Sequence, residues 1–442
     1  MTRNTEVLVI GAGPAGIAAA TAAAESGRKV LVLDNNLVAG GQIWRRATVA
    51  GNKSSHPDDG PKLRALERLG RSGAQVLASR SVFSAEASGT VRAVHETGSG
   101  TLSEQFHFEQ LILATGARER FLPFPGWTLP GVFGAGGLQA LVQGGYPVAG
   151  KRVVVAGTGP LLLAVATHLT EDGAVVSQVV EQARFTSLLG FTASLVRDPS
   201  KLMQAARCRA TLWKTAYRPG CWVVKAIAAP DGVHLGAVRL TNGTRTWTEP
   251  CDLLACGYHL VPNTEIAELL GCNFRGRFVE VDEAQRTSLE NVFCAGEPTG
   301  IAGLEAALVQ GEIAGLASAG KSSTWLGARA AKQREFGKRI EKTFALRTEL
   351  RSLPRPETIV CRCEDVPLES IASRTGWTDA KLQTRCGMGP CQGRICGPAL
   401  HALFGWRNAS VRPPIFPIPI AAMCSAPSND EVSILEPQEI TQ

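Results

Sequence analysis

The sequence predicts an α/β protein with two parallel-sheet units, the second inserted in the first, and a small cysteine-bearing unit near its C-terminal end. Three observations predict it. Two stretches, 6–36 and 151–183, each read as apolar strand, glycine turn, helix and second apolar strand. Apolar strands running into small residues recur at 111–116 and 287–296. Five of the twelve cysteines fall within 361–396, whereas residues 1–207 hold none. At 442 residues the chain is long for one core, so two or three domains are expected.

A composition of 44% hydrophobic and 19% charged residues is that of a globular protein. The net charge of +7 is scattered, which argues against a nucleic-acid partner. Its densest stretch, "KQREFGKRIEKTFALRTELR" (332–351), interleaves Glu and repeats Phe336, Ile340 and Phe344 every four residues. That is an amphipathic helix with a solvated basic face. The first apolar run already carries a glycine motif and lacks a cleavage pattern, and no run is long enough to cross a membrane. A cytoplasmic protein is expected, peripheral to the inner membrane only through an assembly. In a reducing compartment, clustered cysteines point to metal or redox chemistry.

In "EVLVIGAGPAGIAAATAAAESGRKVLVLDNN" (6–36), Gly11, Gly13 and Gly16 fall at G-x-G-x-x-G spacing after the strand Val7–Ile10. Gly11 makes the tight turn, Gly13 lets backbone N–H groups approach a pyrophosphate, and Gly16 permits close helix–strand packing. Pro14 and Ala15 complete the turn into a helix whose N-terminus attracts phosphate. Asp34, at the end of the strand Val30–Leu33, is placed for ribose hydroxyls. Strand, helix, second strand and acid fall in register, which specifies a Rossmann-like dinucleotide site.

Three later stretches indicate which dinucleotide. They are "GGQIWR" (40–45) with Gly41 and Gln42, "LILATGARER" (111–120) with Ala114, Thr115 and Gly116, and "TSLENVFCAGEPTG" (287–300) with Gly296 and Glu297. In this order they resemble the flavin-binding fingerprints of the two-dinucleotide-domain flavoproteins, the glutathione reductase-like superfamily. The resemblance implies FAD, with Glu297 at the ribityl and pyrophosphate region.

The second unit begins at "KRVVVAGTGPLLLAVATHLTEDGAVVSQVVEQA" (151–183). Gly157 and Gly159 are in place, Leu162 stands where the third small residue belongs, and Glu181 is near the ribose-acid position. By architecture this is an NAD(P) domain. The leucine is expected to push the helix away or alter the turn, so NAD(P)H should bind weakly or not at all. A scaffold, or a site for another nucleotide, are the alternatives. The expected layout is an FAD domain from 1–122 and 273–325, an NAD(P)-like domain at 123–272 and a helical linker at 326–356. A cysteine-ligated domain at 357–405 and a proline-rich tail at 406–442 follow. "FLPFPGWTLPGVF" (121–133) fits the outward crossover, "CDLLACGYHLVPNT" (251–264) the return, and 47–62 a surface loop. Residues 425–442 read as a disordered tail.

Disulfide reductases of this superfamily carry C-x4-C after the first βαβ unit or C-x-x-C in the second domain, and neither is present. Cys294 and the other scattered cysteines read as buried small hydrophobes. There is no G-x-S-x-G and no H-E-x-x-H, and no catalytic acid or base stands out; His259 reads as structural. A subunit that relays electrons fits this lack.

Cys361-x-Cys363 and Cys391-x4-Cys396 make two close thiolate pairs 27 residues apart. Four such thiolates suit a [2Fe–2S] cluster, and the glycines of "GMGPCQGRICG" allow a tight wrapping loop whose N–H groups reach sulfur. Structural zinc, which favours C-x2–4-C knuckles, and free thiols or disulfides are the alternatives. Cys386 repeats the x4 spacing to Cys391, and spacing alone does not remove it from the ligand set.

"CRCEDV" with "TRCGMGPCQGRICG" resembles the bacterioferritin-associated-ferredoxin-like [2Fe–2S] domain. In particular it is similar to the version that ends the FAD-bearing, alpha-type subunits of heteromeric amine and amino-acid dehydrogenases. These include the D-hydroxyproline, proline and opine enzymes and hydrogen cyanide synthase. The likeness extends over "GAGPAG", "GGQIWR", "GTGPLLLA", "CAGEPTGIAG" and "RPPIFPIPI". It implies Cys361, Cys363, Cys391 and Cys396 as ligands with Cys386 outside, and makes Leu162 a family trait. It also implies a hetero-oligomer with a flavin-containing, D-amino-acid-oxidase-like amine-oxidising protein and a further small ferredoxin-like subunit. A self-contained NAD(P)H-dependent acceptor reductase and a redox-sensing scaffold are the competing readings.

Overall fold

The computed structural model describes residues 2–44, 59–98, 100–407 and 411–424. The loop expected at 47–62 falls outside these residues up to 58, and 59–62 open a helix, Asp59–Ser72. The tail expected at 425–442 lies wholly outside them.

Strand β1 (Thr2–Ile10) lies parallel between β2 (Val30–Leu33) and β3 (Gly100–Leu113), with Leu8 opposite Leu31 and Leu111. Val292–Cys294 returns to the same sheet on the far side of β3. These strands are continuous apolar runs because both faces are covered. The first half of β3 also pairs antiparallel with Thr90–Thr97, which pairs with Arg80–Glu86. Helix α1 (Pro14–Glu25) packs on the helix Leu304–Ser318. Their approach needs glycine: a Cβ at Gly311 or Gly315 would stand 2.1 or 2.2 Å from the carbonyl oxygens of Ala15 and Ala19.

The second parallel sheet contains β4 (Arg152–Thr158), β5 (Val175–Glu181) and β6 (Leu253–Tyr258), edged by Val132–Phe133 and Ala216–Pro219. An antiparallel sheet of Trp222–Ala228, Leu235–Thr241 and Thr246–Pro250 belongs to the same stretch of chain. Leu162, in helix α2 (Leu161–Glu171), is buried among Val153, Val155 and Val165. Its side chain fills a space that does not exist in the first unit, where a Cβ at Gly16 would stand 1.7 Å from Gly11 O.

The helix expected over 332–351 is α3 (Gly327–Thr343), with Phe336 and Ile340 buried. It stops earlier because Gln182 takes the next residues out of helical geometry. Gln182 Nε2 donates to Ala345 O at 3.1 Å, and its Oε1 accepts Arg347 N–H at 3.1 Å. The cysteine unit follows: a hairpin of Ile359–Cys361 with Val366–Pro367, two short helices, and α4 (Cys396–Phe404), packed around Ile371, Trp377 and Leu400. Trp127 anchors it, its indole N–H donating to Ile359 O at 2.6 Å while Arg362 lies 5.3 Å over the ring. The proline-rich stretch is a strap on the first sheet. Ile415 N–H donates to Phe83 O at 3.0 Å, and Phe416 and Ile418 pack against Phe83, Val94 and Ala422. Among the described residues no helix is long and apolar enough to cross a membrane.

Candidate functional site

The glycine turn of the first unit lies at the C-terminal ends of β1, β3 and Val292–Cys294. At Gly11 (φ +105°) a Cβ would stand 2.3 Å from Ala114 O, so turn and ATG loop touch through backbone alone. Gly40 N–H donates to Ala12 O at 2.8 Å and brings Gly41 against Gly13. A Cβ at Gly41 (φ +59°) would lie 2.8 Å from Gly13 Cα. On the other flank a Cβ at Gly296 would lie 2.9 Å from that of Ala15. Gly11 to Gly16, Gly41 with Gln42, Ala114 to Gly116, and Gly296 with Glu297 therefore converge.

Asp34 is turned onto the turn itself. Its Oδ2 accepts Ala12 N–H at 2.5 Å, and its Oδ1 accepts the backbone N–H and side-chain amide of Asn36 at 2.7 and 2.6 Å. Glu297 is the opposite case. Burial pushes its carboxyl up to about 7, and it meets no donor among the described residues. A carboxylate short of donors, a helix N-terminus and a turn that backbone approaches closely at Gly11, Gly16 and Gly41 together suit FAD, whose hydroxyls supply donors and whose pyrophosphate accepts them.

In the second unit the acid at the end of β5 is likewise bonded to the turn. Glu181 Oε1 accepts Thr158 Oγ1 and Ala183 N–H, and its Oε2 accepts Gly159 N–H, all at 2.8 Å. Burial still pushes its carboxyl up to about 7. Gln182, fully buried, donates to Thr158 Oγ1 at 2.8 Å and holds residues 345–347 across the strand ends, with Phe344 beneath. Leu162 packs in the core beneath the turn, and the segment after α3 lies beside the ends of β4 and β5.

The cysteines converge as well. The sulfurs of Cys361, Cys386 and Cys396 all lie within 4.8 Å of one another and are buried. Cys363 is exposed and Cys391 half-buried, and burial together with the neighbouring Cys391 pushes the Cys363 thiol up. The thiols of Cys386 and Cys396, with the N–H groups of Gly387 and Glu364, aim at Cys361 and hold it far below the ordinary thiol range. Cys386 and Cys396 are pushed up in return by bonding to that thiolate. The glycines serve packing here. Cβ atoms at Gly387 and Gly393 would lie 2.8 Å from the Trp377 ring, and one at Gly389 would lie 2.3 Å from Cys363 Cβ. Cys361 with Cys396, and Cys363 with Cys391, make two thiol pairs, which fits a two-iron cluster; all four would be deprotonated on metal binding. The structure brings Cys386 into the same group, whereas the family resemblance left it outside.

The pyridine nucleotide-disulphide oxidoreductase model matches residues 5–311. The chain is 31% identical to an opine oxidase subunit of Agrobacterium tumefaciens over 96% of this chain and 92% of that one. It is also 31% identical to the HcnB subunit of hydrogen cyanide synthase from Pseudomonas protegens, over 96% and 98%. The chain belongs to the pyridine nucleotide-disulphide oxidoreductase family. Among solved structures, L-proline dehydrogenase from P. horikoshii shares the fold with a TM-score of 0.67 at 19% identity, covering 96% of this chain and 81% of that chain. Thioredoxin reductase of T. acidophilum matches with a TM-score of 0.54 at 22% identity over 72% of this chain and 98% of that one.

As an FAD-dependent oxidoreductase of this family, the chain departs from the disulphide chemistry in the family's name. Cys221, Cys251, Cys256, Cys272 and Cys294 are buried and unpaired, and burial pushes Cys251 and Cys256 up to about 12. Cys208 is half-buried. His259 is likewise held neutral, lowered to about 4 by burial and the charges of Arg277 and Arg120. Sequence reading missed Asn263, Arg118, Trp127 and Gln182, which join the units. Trp127 and Asn263 stand out only as an aromatic and a polar residue inside the predicted crossover and return segments, whereas Arg118 and Gln182, next to predicted motifs, carry no signal of their contacts.

Proposed function

We propose that this chain is the FAD- and [2Fe–2S]-bearing electron-transfer subunit of a heteromeric amine or amino-acid dehydrogenase. Its substrate class is D-hydroxyproline, proline or an opine. It takes electrons from a partner amine-oxidising flavoprotein and passes them to an external acceptor. The observation that carries the reading is one chain that unites a flavin cradle with a buried group of three thiols, Cys361, Cys386 and Cys396, beside which Cys363 and Cys391 lie. Flavin takes two electrons and releases them singly, and a two-iron cluster carries one. Residues 344–347 held beside the turn of the second unit favour a partner over NAD(P)H as the source of electrons. The relatives named as subunits support an assembly. The proposed partner is a D-amino-acid-oxidase-like flavoprotein, with a further small ferredoxin-like subunit, working in the cytoplasm and at the inner membrane only through that assembly.

In this reading Gly11, Gly13, Pro14, Ala15, Gly16, Asp34, Gly41, Gln42, Ala114, Thr115, Gly116, Gly296 and Glu297 hold FAD. Cys361, Cys363, Cys391 and Cys396 hold the cluster. The chain divides at 122/123, 272/273, 325/326, 356/357 and 405/406. The test is metal, sulfide and flavin analysis of the wild type and Cys361→Ser, with amine oxidation measured with and without the co-purified partner. Two irons, two acid-labile sulfides and FAD are expected, with iron lost and FAD kept in the variant. One zinc per chain, or amine oxidation by this chain alone, overturns the reading.

A further inference from the structure

Arg118 stands where three distant parts of the chain meet. Its Nε donates to Arg394 O at 3.2 Å. Its Nη1 donates to Asn263 Oδ1 at 2.7 Å and pairs with Glu265 Oε1 at 2.9 Å. Asn263 is itself tied three times to the flavin-side loop. Its N–H donates to Gly116 O at 3.0 Å, its Nδ2 donates to Thr115 O at 2.9 Å, and its own carbonyl accepts Thr115 Oγ1 at 2.6 Å. At the other end, Arg394 lies between Cys391 and Cys396, and its N–H donates to Cys391 O at 3.0 Å. The Arg394 side chain reaches Glu265 at 3.7 Å and donates to Ile415 O of the strap at 3.1 Å. From Thr115 to the cysteine loop, every link is a covalent bond or a hydrogen bond.

An arginine suits this junction because its planar fork fixes two directions at once, which an ammonium group does not. The side chain is mostly shielded, so its bonds are stronger than surface ones. Electron tunnelling falls steeply with distance, and hydrogen-bonded gaps are narrower than van der Waals gaps. We propose that Arg118 is a positioning residue that keeps the Cys391–Cys396 loop in register with the Thr115–Gly116 loop, and that Thr115, Asn263, Arg118 and Arg394 form the bridge for single electrons between flavin and cluster. This rests on the flavin and iron–sulfur reading above. In that reading the bridge would pass one electron at a time from the reduced flavin to an iron held by Cys361, Cys363, Cys391 and Cys396, an external one-electron carrier would take each electron on, and the flavin's protons would leave to water.

The experiment compares full-length wild type, Arg118→Met, Arg118→Lys and Asn263→Ala, each purified with the partner. Flavin, iron and sulfide contents are measured first. The electron paramagnetic resonance spectrum of the reduced cluster and the flavin-to-cluster transfer rate after photoreduction follow. Arg118→Met is expected to keep all contents and the partner's amine oxidation, to shift the cluster spectrum, and to slow transfer roughly tenfold or more. Arg118→Lys should recover thermal stability but not the rate, because its single nitrogen replaces the separate Nε and Nη1 that serve Arg394 O and Asn263 Oδ1. Should Arg118→Met fail to fold, Asn263→Ala breaks the next link and is expected to give the same slowing. Wild-type rate and spectrum in both folded variants overturn this proposal and leave the cofactor reading standing. A wild type without acid-labile sulfide overturns both.

Discussion

The glycines of the first turn do different jobs, and single substitutions separate them. A methyl group at Gly16 collides with the Gly11 carbonyl, so Gly16→Ala should cost about 1–3 kcal/mol or more and lower the melting temperature whether or not flavin is present. Gly13 has an ordinary extended backbone (φ −74°) and 3.9 Å of clearance to Gly41 Cα. Gly13→Val is therefore expected to fold with near-normal melting of the flavin-free protein yet bind little flavin; a fully yellow Gly13→Val protein would show the cradle to be elsewhere. Glu297 gives a pH signature. Its folded-state carboxyl titrates near 7 against an ordinary 4.5, so the fold binds the proton more tightly than the unfolded chain does. That favours the flavin-free fold below about pH 4.5, and the advantage is lost as the pH rises through 7. Melting curves of flavin-free Glu297→Gln should match wild type at low pH and exceed it above pH 7, while its flavin affinity falls.

Between elements, a few polar contacts outweigh local propensity. The run from Phe336 to Arg351 has good helix-forming residues, yet the helix ends at Thr343 because Gln182, at the end of β5 and 163 residues from Ala345, bonds Ala345 and Arg347. The same bonds hold this segment beside the turn of the second unit. NADH at micromolar concentration is accordingly expected to leave the flavin oxidised in anaerobic mixing, and rapid bleaching would show that residues 344–347 yield to a nucleotide. Trp127 is the comparable anchor for the cysteine unit. Trp127→Phe keeps the ring but removes the bond to Ile359 O, at a cost of about 1 kcal/mol. Faster hydrogen exchange in 359–366 with unchanged flavin binding is the expected result.

For the molecule as a whole, the strap turns the cysteine unit from an appended module into part of the flavin body. Chain removed after Arg407 would bare Phe83 and Val94 and leave the Arg394 guanidinium without Ile415. Such a truncation should retain FAD but be cut faster by protease in the 351–357 linker; equal protease resistance would show that Trp127 and Arg118 suffice. The sequence by itself determined both βαβ units, the order of the flavin motifs, and the five-cysteine cluster with its short spacings. These are local patterns, in which a turn, a strand's apolar run or a metal-binding loop is specified by neighbours along the chain. Only the tertiary structure decided that Asp34 faces the turn while Glu297 lacks donors, and that Cys386 joins Cys361 and Cys396. It also decided that Gln182 holds residues 345–347 beside the second unit's turn and that Arg118 joins the cysteine loop to the ATG loop. Each of these depends on groups tens to hundreds of residues apart, whose meeting is set by how the sheets and the strap pack, and nothing in the spacing of either partner records it.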